Sequence, residues 1–240
     1  VYGADVLAVE GSYDEAYDLS VAVTDEYGWY NRNAAINPFQ VEGKRTVGHE
    51  LAEQTSARGI VPDWLVFSMG DGCTIAGAWK GFREFRDLGY VDDAPKTLGV
   101  QATGASAIHD AFHGHDDADD VADTLADSIA VGRPRNTVKA CRALEDSGGT
   151  AVLVDDDAIL DAQTLLGRTE GIYSEPAGAT AVAGLRRALA DGIVDRDETV
   201  VVCSTGFGLK DTESALAATD GVTAIDPRMA DVRDLYGSAE

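Results

Sequence analysis

Runs of apolar residues set against turn-forming ones divide the chain into short strands that alternate with helices. Val6-Leu7-Ala8-Val9 reads as a short strand. Ser12 followed by Glu15 is a capping-box signature, and it opens a helix expected to run to about Tyr27. Gly28 to Gln40 is irregular, rich in Asn and interrupted by Pro38. Beyond it the pattern predicts a helix from about Gly43 to Arg58, a strand at Trp64–Ser68 and a helix from about Ile75 to Leu88. Thr97–Gln101 is strand-like, and helices are expected near Ala107–Phe112 and Thr137–Asp146. Ala151–Val154 is a further strand, and Asp155-Asp156-Asp157 starts the next helix, where carboxylates suit the positive end of the helix dipole. Pro176 precedes the small-residue helix Gly178–Leu189, and a last strand covers 199–203. The tail after it carries no assignable element. This alternation predicts an α/β fold, a parallel or mixed sheet covered by helices on both faces. No internal repeat or low-complexity segment interrupts it.

Two strand ends carry the wrong residues for a core. Val200, Val201 and Val202 lead into Cys203, Ser204, Thr205 and Gly206, small polar groups followed by glycine. Trp64–Ser68 leads into Met69-Gly70-Asp71-Gly72-Cys73-Thr74 and then a helix. Ligands of open α/β sheets sit at the carboxyl ends of strands. Gly70, Asp71, Gly72, Cys73 and Thr74 therefore form either an anion cradle of backbone N–H groups or a tight turn that needs glycine only for its φ. The spacing matches neither the GxGxxG fingerprint nor the P-loop. Glu175-Pro176-Ala177-Gly178-Ala179 either faces a ligand or merely starts a helix, with Pro in its first turn. Thr205 could hydrogen-bond a heteroaromatic nitrogen or cap local backbone. His49, His109, His113 and His115 form no evident ligand set; His113 and His115 flank a glycine in an acidic segment and read as exposed loop. No metal site and no Ser-His-Asp or Cys-His arrangement stands out.

Charge narrows the partners. The net charge is -23, from 42 Asp and Glu against 19 Lys and Arg, with a dense patch at Asp116, Asp117, Asp119 and Asp120. Such a balance repels nucleic acid and anionic membrane. It reads as the salt-adapted surface of a halophile-like, cytoplasmic protein. Cys73, Cys141 and Cys203 are odd in number and lack CxxC spacing, which argues for a reducing compartment. No signal peptide or bilayer-length apolar run is recognisable. The chain starts at Val1 on a strand-like segment, and a fragment of a longer protein is expected.

Together these segments resemble the threonine synthase family, pyridoxal-phosphate enzymes of fold type II, the tryptophan-synthase-β-like class. The resemblance runs through Asn37-Pro38-Phe39, Glu42-Gly43-Lys44-Arg45-Thr46, loop 70–74, Gly99-Val100-Gln101-Ala102, Thr124–Ala130, Glu175–Ala179 and Thr205-Gly206-Phe207-Gly208-Leu209-Lys210-Asp211. It implies that Gly70, Asp71, Gly72, Cys73 and Thr74 cradle the phosphate of pyridoxal 5'-phosphate. It implies that Glu175 lines the ring and that Thr205 faces the pyridine nitrogen, where a neutral hydroxyl makes a milder electron sink than an acid would. The implied substrate is an amino acid, O-phospho-L-homoserine, and a homodimer is the usual assembly of the family.

Two departures stand out. The family's Schiff-base lysine lies in an N-terminal motif that none of Lys44, Lys80, Lys96, Lys139 and Lys210 matches. The N-terminal part is therefore expected to be missing, and these residues to be inactive alone. Residues 1–33 would be the end of the smaller domain and its connection, and 34–240 the C-terminal portion of the larger, cofactor-binding one. Second, many relatives carry Asn-Ser before the Asn-Pro turn and Arg after it, groups suited to a substrate phosphate. Here the stretch is Ala34-Ala35-Ile36-Asn37-Pro38-Phe39-Gln40. Asn33, Asn37, Gln40 and Lys44 are the substrate-binding candidates, with Arg32 or Arg45 as further substitutes for the lost cation. A different fold type II lyase, such as a serine or threonine dehydratase, or a non-catalytic fragment is the alternative.

Overall fold

The computed structural model describes residues 2–34, 36–115, 122–219 and 223–237. Ala35 and the acidic tract Asp116–Asp120 lie outside them. Among the described residues four strands, β1 (Trp64–Ser68), β2 (Lys96–Ala102), β3 (Thr150–Val154) and β4 (Val200–Cys203), form one sheet in the order β3-β2-β1-β4. Every pairing is parallel, with Trp64 opposite both Lys96 and Val200. The fold is α/β with helices on both faces of the sheet.

The period of two along each strand divides the core into two layers. Trp64 and Val66 join Leu98, Val100, Val152 and Val154 on one face, under α6 (Asp156–Glu170) and α7 (Pro176–Ala190). Leu65 and Phe67 point the other way, against α2 (Pro38–Ser56), α3 (Cys73–Asp87), α4 (Ala107–His113) and α5 (Thr137–Ser147). Because both faces are covered, β1 reads as a continuous apolar run rather than an alternating one. Each such buried side chain contributes on the order of 1.5–3 kcal/mol. Small residues on nearly every side of α7, Ala177, Ala179, Ala181 and Ala183 among them, let that helix lie close on the sheet.

Three boundaries differ from the sequence pattern. Val6–Val9 forms no strand: Val6 and Leu7 are 84% and 83% exposed, and no described strand supplies it with a hydrogen-bonding partner. The helix expected from Gly43 begins at Pro38, because Asn37 is its N-cap, accepting from Phe39 N, and proline fits the first helical position. The tail carries two short helices, α8 (Thr212–Ala217), capped by Asp211, and α9 (Met229–Tyr236). The helix opened by Ser12, α1 (Tyr13–Tyr27), has both bonds of its capping box.

Candidate active site at the carboxyl ends of the sheet

β1 ends at Ser68, and after four intervening residues α3 begins at Cys73. Gly72 stands at its N-cap with φ 82°, where no side chain caps the helix. A Cβ there would be strained and would meet Ala140 Cβ and Ile108 Cδ1 at 2.9 Å. The first N–H groups of α3 thus have no capping side chain, at the positive end of the helix dipole. A carboxylate in this loop would oppose an anion, but Asp71 is taken up by the neighbouring loop. Its Oδ1 accepts from Arg135 N at 2.6 Å and its Oδ2 from Asn136 Nδ2 at 2.7 Å. That loop is held in turn by α1. Asp14, only 7% exposed, accepts from Gly132 N and Arg133 N and pairs with the Arg135 guanidinium.

Loop 70–74 walls a cavity of about 180 Å³. Lys44, Ser68, Ser128, Ile129, Glu175, Ala177 and Thr205 complete the lining. Lys44 Nζ donates to Thr74 Oγ1 at 3.2 Å and has no carboxylate partner among the described residues. Ser68 Oγ is buried with no hydrogen-bond partner among the described residues. A buried hydroxyl in that state calls for an unseen acceptor or donor. Bare helix N–H groups, an ammonium and hydroxyls together suit a phosphate-bearing ligand of modest size.

The opposite wall is assembled from two distant segments. Ser174 pairs antiparallel with Phe207, Glu175 N donates to Gly206 O at 3.2 Å, and Gly208 N to Tyr173 O at 2.9 Å. Gly178 makes this possible, since a Cβ there would stand 1.7 Å from Thr205 O. The Glu175 side chain is 8% exposed, and its Oε2 lies 3.2 Å from Lys210 Nζ, which also reaches Ser128 Oγ at 2.5 Å. These groups open onto an adjoining cavity of about 360 Å³ bounded by Asp127, Lys210 and Asp211. The Thr205 hydroxyl makes no hydrogen bond to any described residue. Burial pushes the Cys203 thiol up, which disfavours the thiolate a nucleophile would need.

Gly70, Asp71, Gly72, Cys73, Thr74, Glu175 and Thr205 therefore surround one cavity, and Lys44 joins them. Asn33, Asn37 and Gln40 do not line it. Asn33 donates to Ser20 Oγ at 2.7 Å. Asn37, 5% exposed, donates to Tyr30 Oη at 2.5 Å and to Asn31 O. With its amide oxygen turned toward Arg32, Gln40 accepts from Arg32 Nε at 2.9 Å and Nη2 at 3.1 Å. The residues that sequence reasoning passed over are Ser68, Ser128 and Lys210. Ser68 ends an apolar strand and could have been flagged, but the Lys210–Glu175 pair joins positions far apart and has no local signal. A larger cavity of about 660 Å³, along the β3 edge beside Thr103 and Arg187, contains none of these groups.

A family model described as pyridoxal-phosphate dependent enzyme matches residues 1–206. The chain belongs to that family. It is 42% identical over 224 residues to a threonine synthase of Methanocaldococcus jannaschii, covering 91% of this chain and 54% of the relative. It is 39% identical to a threonine synthase of Methanosarcina acetivorans, covering 100% of this chain and 60% of the relative. The chain thus spans somewhat over half the length of these relatives. Among solved structures, the processed form of threonine deaminase isoform 2 from Solanum lycopersicum superposes with a TM-score of 0.73 at 23% identity, covering 91% of this chain and 60% of that one. At that identity the likeness is one of fold.

Proposed function

We propose that the chain is the C-terminal part of a threonine synthase, which converts O-phospho-L-homoserine and water to L-threonine and phosphate. The observation that carries this reading is the single cavity on which the anion cradle, Glu175 and Thr205 converge. The names of the relatives support the particular reaction. Pyridoxal phosphate supplies the electron sink that stabilises negative charge developing beside the amino group of an amino acid. In our reading the first-turn N–H groups of α3 hold its phosphate, with Lys44 and Thr74 beside them. The Thr205 hydroxyl would donate one hydrogen bond to the unprotonated ring nitrogen. Lys210 balances the buried Glu175 carboxylate. We place the covalent lysine in the part of the relatives' length that this chain does not span, so that residues 1–240 alone are inactive. On this reading residues 1–33 close the smaller domain and 34–240 belong to the larger one.

The strongly acidic surface supports a salt-adapted, halophilic and cytoplasmic protein, and the three free cysteines fit a reducing setting. A homodimer is the assembly we expect. No described helix is long and apolar enough to cross a membrane. One observation favours a second reading, a dehydratase acting on an unphosphorylated amino acid. Asn33, Asn37 and Gln40 are engaged by Ser20, Tyr30 and Arg32, so the substrate-phosphate groups expected there are not presented. Phosphate release from O-phospho-L-homoserine by the product of the complete gene, with cofactor and high salt, separates the two. Release with stoichiometric threonine supports the synthase. Cofactor binding without release, together with deamination of serine or threonine, overturns it.

A further inference from the structure

α4 and the turn after it hold three histidines outside the cofactor cavity. His109 and His113 lie four residues apart, on one face of the helix, with ring centroids 4.5 Å apart. His115 follows the left-handed turn at Gly114, its ring 6.3 Å from that of His109 and 6.2 Å from that of His113. Hydrogen bonds assign the ring nitrogens. His109 Nδ1 is 2.9 Å from Asp110 Oδ1, and an ionised carboxylate only accepts, so Nδ1 carries the proton and Nε2 keeps its lone pair. His113 Nε2 is 3.1 Å from Ala151 O, and a carbonyl only accepts, so Nε2 carries the proton and Nδ1 keeps its lone pair. Each ring has one nitrogen pinned by an oxygen and one left bare. Outer-shell oxygens of this kind, a carboxylate and a backbone carbonyl, orient the histidine ligands of metal ions. The helix that carries them is itself fixed to the sheet, because His109 N donates to Gln101 Oε1 at 2.8 Å.

We propose that His109 and His113 form a two-histidine chelate for a divalent transition-metal ion of the zinc and copper class. Neutral imidazole suits these ions, and two histidines four apart on a helix are a recurrent chelating pair. Among the described residues no three His, Cys, Asp or Glu side chains already surround an ion position. Water completes the coordination, and His115, whose side chain is 62% exposed, stands beside it with Nδ1 3.8 Å from Asp110 Oδ1. The site lies on the α4 side of the sheet, and neither histidine lines the candidate cofactor cavity.

The test is titration of metal-stripped protein with Zn²⁺ against a chromogenic chelator, followed by the electron paramagnetic resonance of the Cu²⁺-loaded protein. One saturable equivalent per chain is expected. H109A and H113A should each weaken it at least tenfold, and D110N about tenfold through loss of the orienting carboxylate. H115A should weaken it less. The Cu²⁺ spectrum should show nitrogen hyperfine coupling from two imidazoles. No saturable equivalent, or one that persists in the H109A/H113A double variant, overturns the proposal and assigns cation uptake to the acidic surface. Should the double variant fail to fold, a Cu²⁺ spectrum of oxygen ligands alone in the native protein overturns it equally.

Discussion

The two strand ends that meet at the cavity are built in opposite ways. β1 is central: Leu65 and Val66 are fully buried, and the chain passes directly from it into the fifteen-residue helix α3. β4 is an edge strand, half-buried throughout, and the loop after it is largely exposed. The first end is shaped by a local turn and braced by Asp71. The second is shaped by contact with a segment thirty residues earlier, where the start of α7 passes beneath Thr205. An anion cradle can be made from consecutive backbone groups, whereas a position for a ring nitrogen needs two elements brought into register.

That contrast can be broken first at Gly178. A Cβ there collides with backbone, which cannot swing aside, so Gly178→Ala should cost about 3 kcal/mol in urea unfolding and displace Thr205. Gly167→Ala is the control. It lies in α6 with open space around it and should be neutral or stabilise by about 0.5–1 kcal/mol. Equal effects at the two sites would mean that α7 does not set the position of Thr205.

Asp71→Ala tests the other end. It removes an ionised acceptor from two hydrogen bonds and should cost about 2 kcal/mol, with at least tenfold weaker binding of pyridoxal phosphate by fluorescence titration. Tighter binding would show that the lost negative charge mattered more than the brace. Thr205→Ala should change stability by less than about 0.5 kcal/mol, since the hydroxyl has no hydrogen-bond partner among the described residues, while shifting the absorption maximum of the bound cofactor. An unshifted spectrum would remove Thr205 from the ring.

The smallest effect belongs to the far end of the sheet. Glu198 is held below its ordinary value by the Asp195 N–H, then by Trp64 Nε1 and Lys96. A lowered carboxyl favours the folded state above its unfolded value and loses that contribution as pH falls through the folded one. Glu198→Gln should therefore lower stability slightly at neutral pH and leave it nearly unchanged in acid, which flattens the limb below about pH 4.5. An unchanged acid limb would show that the group carries no linkage.

Much of this architecture was legible because its signals are local. The apolar run 64–68, the Ser12–Glu15 capping box and the triple aspartate that caps and opens α6 each fix their element within a few residues. The loop 70–74 and Thr205 were legible as strand ends. Val6–Val9 misled because apolar composition cannot say whether a partner strand exists. The start of α2 was missed because Asn37-Pro38 was read as a breaker when it is an N-cap followed by the first helical residue. The Asp14 clamp, the Lys210–Glu175 pair and the Gln40–Arg32 contact each depend on the folded chain bringing distant polar groups together. His113 and His115 read as exposed loop and both are exposed, but His113 closes α4, one helical turn from His109.

The outward commitment of the Asp71 carboxylate has a consequence for capture kinetics. A protein of net charge -23 surrounds itself with a potential that turns a dianionic cofactor away before it reaches the cradle. Inside the cavity the sign reverses, so the barrier is one of approach rather than of residence. Salt screens the far field over a Debye length of about 8 Å at 0.15 M and about 3 Å at 1 M, while short contacts within the cavity are screened much less. Added salt should then speed cofactor uptake, the reverse of what is seen when opposite charges steer an encounter, so that filling of the site becomes a function of ionic strength.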